Sequence, residues 1–268
     1  MKDTAGIPWG LQFGAALALV VLLLPVGIVV LAGLNAGDYL TFPPQGLSLR
    51  WVIAFLSSRV YMHAYLFSLV LAFITTLIST TIGTMASIFL TRSAFAGVGA
   101  MRGFFMSPIV LPGVVLGLAL YVFYISTDLG LARSLPGLLI GHVLVTCPFV
   151  IATVTASLVG FDLSLEQAAR SLGAGPLTAF RLVTFRIISP AIGAGSIFAF
   201  IISFGQFDIS IFLGTANLTG LPMAVYISLR YAFEPVAAAA GIFAILLVVL
   251  SMVISSRLID LQRIVSRG

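Results

Sequence analysis

The chain has 268 residues, of which 60% are hydrophobic and only 8% charged, and its mean hydropathy is +1.21. A soluble domain carries roughly a quarter charged residues, so water is not the main solvent for this surface. The net charge of +5 comes from single cations spaced between long apolar stretches, which excludes a nucleic-acid stripe and suits lipid headgroups. One cysteine, Cys147, excludes an internal disulfide and a cysteine metal cluster.

A helix crossing ~30 Å of hydrocarbon needs about 20 mainly apolar residues. Six charge-free stretches meet that length: 11–34, 62–90, 103–126, 136–159, 187–207 and 235–255. The first exceeds the roughly 7 to 15 residues of a signal-peptide core and reads as a retained span. In the third, Ser107, Pro108 and Pro112, and in the fourth, Thr146 and Pro148, mark places where a helix either breaks to free carbonyls toward a cavity or kinks and is re-satisfied by packing. Gly113 and Gly117 form a small-xxx-small pair suited to close approach. A seventh candidate, 209–229, is interrupted by Gly214, Asn217, Thr219, Gly220 and Pro222 and reads as a loop following the fifth helix.

Orientation follows from the basic residues. With the N-terminus inside, Lys2, Arg92, Arg102, Arg170, Arg181, Arg186, Arg257, Arg263 and Arg267 are cytoplasmic, and only Arg50, Arg59, Arg133 and Arg230 are external. Both termini are therefore expected in the cytoplasm. The long external connection, 35–61, contains Pro43, Pro44, Gly46 and Trp51 and reads as an irregular segment with an interfacial aromatic anchor. No internal repeat or low-complexity tract divides the chain.

The connection between the fourth and fifth spans reads DLSLEQAARSLGAGPLTAFRLVTFRIISP from Asp162. Ser164 and Gln167 have the spacing of a capping box, with Glu166 in the first turn facing Arg170 four residues on. Gly173 can take the left-handed conformation that stops this helix after Leu172, and Pro176 suits the first turn of a second short helix displaying Leu177, Phe180 and Val183 or Thr184. On helix chemistry alone, a partnerless pair of interfacial helices is an equal reading.

Ionisable groups at membrane depth are functional candidates. Asp208, ending the fifth span, reads either as a lining group of a pathway or as an interfacial carboxylate solvated or paired with Arg230. Glu234 reads as a helix-entry residue, His142 as a neutral imidazole bonded to a neighbouring helix, and His63 carries little weight. No metal site or catalytic constellation is expected.

The loop resembles the cytoplasmic signature of binding-protein-dependent ABC importer permeases, EAA, three residues, G, nine residues, I-x-L-P. Ala168, Ala169 and Gly173 match at that spacing, as does Val183. Gln167 stands at the glutamate position with Glu166 one residue earlier, Phe185 and Arg186 replace Leu-Pro, and Pro190 supplies a later proline. The resemblance covers the chain from Tyr61 onward. It implies an all-α polytopic membrane protein of six transmembrane helices with the type I importer (MetI-like) permease fold. The region 1–60 is then an N-terminal helix with its external loop, and 61–268 a five-helix core with a coupling loop at about 162–186. The first helix would pack peripherally, typically against the partner permease.

It further implies that Glu166, Gln167, Ala168, Ala169, Arg170, Leu172, Gly173, Ala174 and Phe180 seat against a separate ATPase. Further expected partners are a second homologous permease, an extracytoplasmic solute-binding protein and the bilayer of a bacterial inner membrane. The only lysine is Lys2, so the chain has no P-loop lysine; it holds no cofactor of its own, and ATP and Mg belong to the partner. The run SFGQFDISIFL from Ser203 is similar to the polyamine-type branch, which nominates Ser203, Phe204, Gln206 and Asp208 as a substrate pathway; Gly205 and Gln206 stand where that branch often carries acids. Related members move aminoalkylphosphonates, opines and other small organic solutes. The alternative of another class is a proton-coupled secondary transporter, which would need intramembrane carboxylates and an internal repeat; a membrane-embedded enzyme is the third.

Overall fold

The computed structural model describes residues 8–231 and 233–265; Lys2 and Arg267 lie outside them. In chain order the helices are α1 (Trp9–Gly33), α2 (Arg50–Ser57), α3 (Arg59–Arg92), α4 (Val98–Val110), α5 (Gly113–Thr127), α6 (Leu135–Val159), α7 (Leu163–Ser171), α8 (Pro176–Ala179), a π-helical turn (Phe180–Thr184), α9 (Phe185–Phe204), α10 (Ser210–Leu213), α11 (Leu221–Tyr231) and α12 (Val236–Val265). Among the described residues, five helical segments are long and apolar enough to cross a membrane: Trp9–Gly33, Arg59–Arg92, Leu135–Val159, Pro176–Phe204 and Val236–Ile254.

The expected third span is not one straight helix. It is α4 and α5, bent by 106° at a short break. At about 1.5 Å per residue neither half reaches across the hydrocarbon alone. The break has a local cause: a proline disfavours helical geometry in the residue before it, and Leu111, preceding Pro112, is extended at φ −77°, ψ 134°. Pro108 inside α4 removes an amide, and the Ser107 hydroxyl donates to the Phe104 carbonyl left without it, at 2.8 Å. Ser189 repeats this before Pro190, donating to Arg186 O at 3.0 Å, so α9 continues through its proline.

The chain forms two compact units, 1–62 with 225–247, and 63–224 with 248–268. In the first, α1 is exposed over most of its length, as a lipid-facing or partner-facing helix is. The connection after it is built on Asn35, whose side chain is fully buried. Its Oδ1 accepts from the amides of Gly37 and Gln45, at 3.1 and 3.0 Å. Its Nδ2 donates to Tyr39 O at 2.9 Å and Thr41 Oγ1 at 3.3 Å. Arg50 pairs with Asp38 and lies over the Trp51 ring, while the Trp51 indole donates to Gly37 O at 3.0 Å. The segment expected to be irregular is thus a hydrogen-bonded loop organised by one amide. Asp38, Tyr39, Trp51, Tyr61, Phe233 and Glu234 line a cavity of about 440 Å³ in this unit.

In the second unit α6 is the axis. It is apolar on all sides, the pattern of a helix buried by neighbours all round. Its Leu138 packs with Leu71, Tyr124, Ile209 and Leu213; its Val150, Val154 and Leu158 with Ile188 and Ala199; its Cys147 and Ile151 with Leu90. A Cβ at Gly195 would stand 3.1 Å from Val150 Cα, so α9 comes close to α6 only because that residue is glycine. Hydroxyls tie the helices together, as Ser79 to Thr146 at 2.7 Å and Ser87 to Ile151 O at 3.2 Å. Such bonds inside membranes contribute about 0.6 kcal/mol each on average.

Candidate functional site

The loop between α6 and α9 is built from its ends inward. Asp162, not Ser164, is the N-cap of α7: its carboxylate accepts from the Ser164 amide at 2.9 Å, and Ser164 already lies inside the helix. An anionic cap also complements the helix dipole, which is why it prevails over the expected capping box. That amide bond holds the Asp162 carboxyl below the usual carboxylate range. At the other end Gly173 has φ +93°. Its amide bonds Arg170 O at 3.0 Å and the Ala174 amide bonds Ala169 O at 3.1 Å, the two bonds of a Schellman stop.

Glu166 makes its ion pair with Arg92 and not with Arg170, which acts on it only at longer range. Its Oε2 accepts from Thr184 Oγ1 and from Arg92 Nη2, each at 2.5 Å. Arg92 ends α3, also donates to Thr184 at 3.2 Å, and lies over the Phe180 ring at 5.6 Å. An exposed i,i+4 pair contributes only about 0.3–0.5 kcal/mol, so this half-buried clamp from two other elements prevails. The Thr184 hydroxyl first, and then Arg92, hold the Glu166 carboxyl below its ordinary range.

The second helix of the loop is not separate either. Pro176 opens it as expected, but it runs through the π-helical turn into α9 as one stretch, Pro176–Phe204. No helix breaker separates Phe180 from Phe185, and the wide turn carries Thr184, which is buried, to Glu166.

With α7 anchored by Glu166, its other side is free. Leu165, Ala168, Ala169 and Leu172 fall at the i, i+3, i+4, i+7 spacing of one helix stripe, and Leu165 and Leu172 are 48% and 90% exposed. Leu177, at the start of α8, is 79% exposed. Gln167 and Arg170 flank the stripe, exposed as well. The nominated coupling residues therefore share one short segment: Glu166 and Phe180 face the protein, Ala168 and Leu172 are exposed, Ala169 and Ala174 are half-buried, and Gln167 and Arg170 flank them.

The second nominated group lies at the break between α9 and α10. Ser203 and Phe204 are buried: the Ser203 hydroxyl contacts His142 Nδ1 at 2.9 Å, and the Phe204 ring meets Tyr65 edge-on at 5.8 Å. Gln206 and Asp208 are half-buried within the break. Asp208 makes no ion pair among the described residues; Arg230 instead donates to Tyr226 at 3.1 Å. The Asp208 turn sits against the N-terminal end of α5, where a Cβ at Gly113 would stand 2.5 Å from Asp208 Oδ2 and one at Gly117 2.8 Å from its carbonyl oxygen. The small-xxx-small pair thus admits a turn carrying a carboxylate, at a helix end favourable to negative charge. Arg92 and Thr184 were not singled out as site residues from the sequence. The available signal was charge scarcity, since Glu166 is one of only eight acids in the chain.

Helices of membrane length, with a structured loop before the last two of them, define a polytopic membrane protein. The profile of binding-protein-dependent transport system inner membrane components matches residues 80–264, and the chain belongs to that family. It is 28% identical over 248 residues to the spermidine/putrescine transport system permease protein PotC of Shigella flexneri, covering 92% of each chain. It is 31% identical over 212 residues to a probable molybdenum ABC transporter permease protein of Haloferax volcanii, covering 77% of each. In fold it resembles a chain of the bacterial alginate ABC transporter crystallised with an alginate pentasaccharide-bound periplasmic protein, at a TM-score of 0.68 and 16% identity over 91% of both chains.

Proposed function

We propose that this permease works by alternating access, driven by a separate ATPase that seats on the apolar stripe of α7, and that it imports a small organic cation of the polyamine type. The observation that carries the first part is the stripe of exposed Leu165, Ala168 and Leu172 with half-buried Ala169, on a helix held to the protein by Glu166. ATP and Mg are bound by that partner. Drawing two ATPase subunits together moves two such segments, so a second permease supplies the other, and an external binding protein delivers the solute. The α7 loop and both termini are cytoplasmic in this reading, in accord with the arginine bias.

Gln206 and Asp208 line the pathway, and Ser203 and Phe204 support them from within the fold. A cationic solute is favoured by Asp208 and by the cavity that brings Asp38 and Glu234 together with Tyr39, Trp51, Tyr61 and Phe233. Carboxylates with aromatic faces attract ammonium groups, and Arg50 offsets only Asp38. An oxyanion such as molybdate is disfavoured by the same lining. The test is uptake into proteoliposomes holding the assembled transporter, with ATP inside the vesicle and the binding protein outside, comparing labelled putrescine and spermidine with molybdate. ATP-dependent amine uptake that survives an uncoupler supports the reading. Uptake of molybdate alone overturns the cation assignment, and uptake that collapses with the proton gradient overturns ATP coupling.

A further inference from the structure

His142 lies on α6 in the second unit, 1% exposed, and its two ring nitrogens reach opposite sides of the α9–α10 break. Nδ1 is 2.9 Å from Ser203 Oγ, near the end of α9, and Nε2 is 3.2 Å from Ser210 Oγ, the first residue of α10. Both serines are buried. Gly141 beside it makes this reach possible, because a Cβ there would stand 2.7 Å from Ile209 Cγ2, so α10 comes against α6 at that turn.

The proton positions follow from the Ser210 hydroxyl. It lies 2.9 Å from the Gln206 carbonyl oxygen. A carbonyl only accepts, so Ser210 donates its single hydrogen there and must accept from His142. Nε2 therefore carries the proton. In the neutral ring Nδ1 is then the acceptor, receiving the Ser203 hydrogen. The hydrogen bonds run in one direction, from Ser203 through His142 and Ser210 to the backbone of Gln206.

We propose that His142 is a positioning residue that bridges the break and fixes the Gln206–Asp208 turn where the solute passes. This rests on the assignment of Gln206 and Asp208 to the pathway. Each side of the break is anchored by one serine, and the Gln206 carbonyl within it is the end of the chain of bonds. Losing His142 removes both bridging bonds: the buried Ser203 hydroxyl loses its acceptor, and Ser210 keeps only its own bond to the Gln206 carbonyl. Two lost bonds correspond to a change on the order of tenfold, which falls on solute affinity rather than on assembly with the ATPase.

Two measurements on the full transporter complex test this. In complex assembled with only this chain ¹⁵N-histidine-labelled, and with His63→Gln leaving a single labelled ring, the His142 ring is expected neutral with the proton on Nε2. Ser203→Ala should shift the Nδ1 resonance and Ser210→Ala the Nε2 resonance. A proton on Nδ1, a doubly protonated ring, or no response to either serine overturns the bridge. In proteoliposome uptake of putrescine or spermidine, whichever the wild type transports, His142→Ala should raise KM about tenfold with basal ATP hydrolysis unchanged. His142→Gln, whose amide can still donate to Ser210, should recover part of the loss and resemble Ser203→Ala. An unchanged KM in His142→Ala, or equal losses in the Ala and Gln variants, overturns positioning. Absence of all uptake in the wild-type complex overturns the proposed function instead, and the resonance measurement still decides the bridge.

Discussion

Leu172→Ala separates a docking surface from a folding element. Leu172 is 90% exposed at the C-terminal end of α7, so truncating it removes almost no intramolecular contact, and the stability of the isolated chain in detergent should stay within about 0.5 kcal/mol. Seated in a partner groove, the same side chain loses roughly three buried carbon groups on truncation, at about 0.8 kcal/mol each. That is about 2 kcal/mol, or roughly thirtyfold in affinity. Titrating the purified ATPase against wild-type and variant chain in nanodiscs, with thermal unfolding of both, measures the two effects together. A Leu172→Ala variant that binds the ATPase normally refutes the stripe as its seat. A large loss of thermal stability in the isolated chain refutes the placement of Leu172 outside the core.

Other consequences are sharper at single residues. Glu166→Gln should loosen α7 from the end of α3, read as faster amide exchange in Leu163–Ser171. The Glu166 carboxyl is held below its ordinary range, so its contribution is complete above about pH 4.3, the unperturbed value, and is lost as pH falls through the depressed one. Protection of these amides, corrected for the intrinsic pH dependence of exchange, should therefore fall in the wild type only in acid, with that fall absent in the Gln variant. Gly117→Ala places a methyl 2.8 Å from the Asp208 carbonyl oxygen and should cost about 1–3 kcal/mol, seen as a lower Tm in detergent. Asn35→Ala leaves the buried Gly37 amide and the more accessible Gln45 amide without their acceptor; at about 1–3 kcal/mol for a buried stranded group, protease cleavage within residues 36–48 should become fast.

The spans were legible because membrane crossing is a composition problem, and uninterrupted apolar length identifies a helix without knowledge of its neighbours. The 106° bend between α4 and α5 was legible only as a choice between a break and a kink: Pro112 marks the place, but packing sets the angle. Within the loop, local chemistry carried Gly173 and Pro176 correctly, since a positive φ and a first-turn proline depend on adjacent residues alone. The cap was misread by two positions because Asp162 and Ser164 both have capping side chains, and the carboxylate is the stronger acceptor. Glu166 was assigned the wrong cation because its actual partner, Arg92, lies 74 residues away in sequence. His142 was rightly read as bonded to a neighbouring helix, but its two serines, 61 and 68 residues distant, follow only from the packing of α9 and α10 on α6.

Under the proposed function, α7 of this permease seats a separate ATPase. Gentle extraction of the tagged chain from its native membrane, with mass spectrometry of what copurifies, tests it most directly. Recovery of a P-loop ATPase and a second six-span permease, with the ATPase lost selectively when Ala169 is changed to Asp, is the expected result. A homo-oligomer with no ATPase, after crosslinking before extraction, would contradict it.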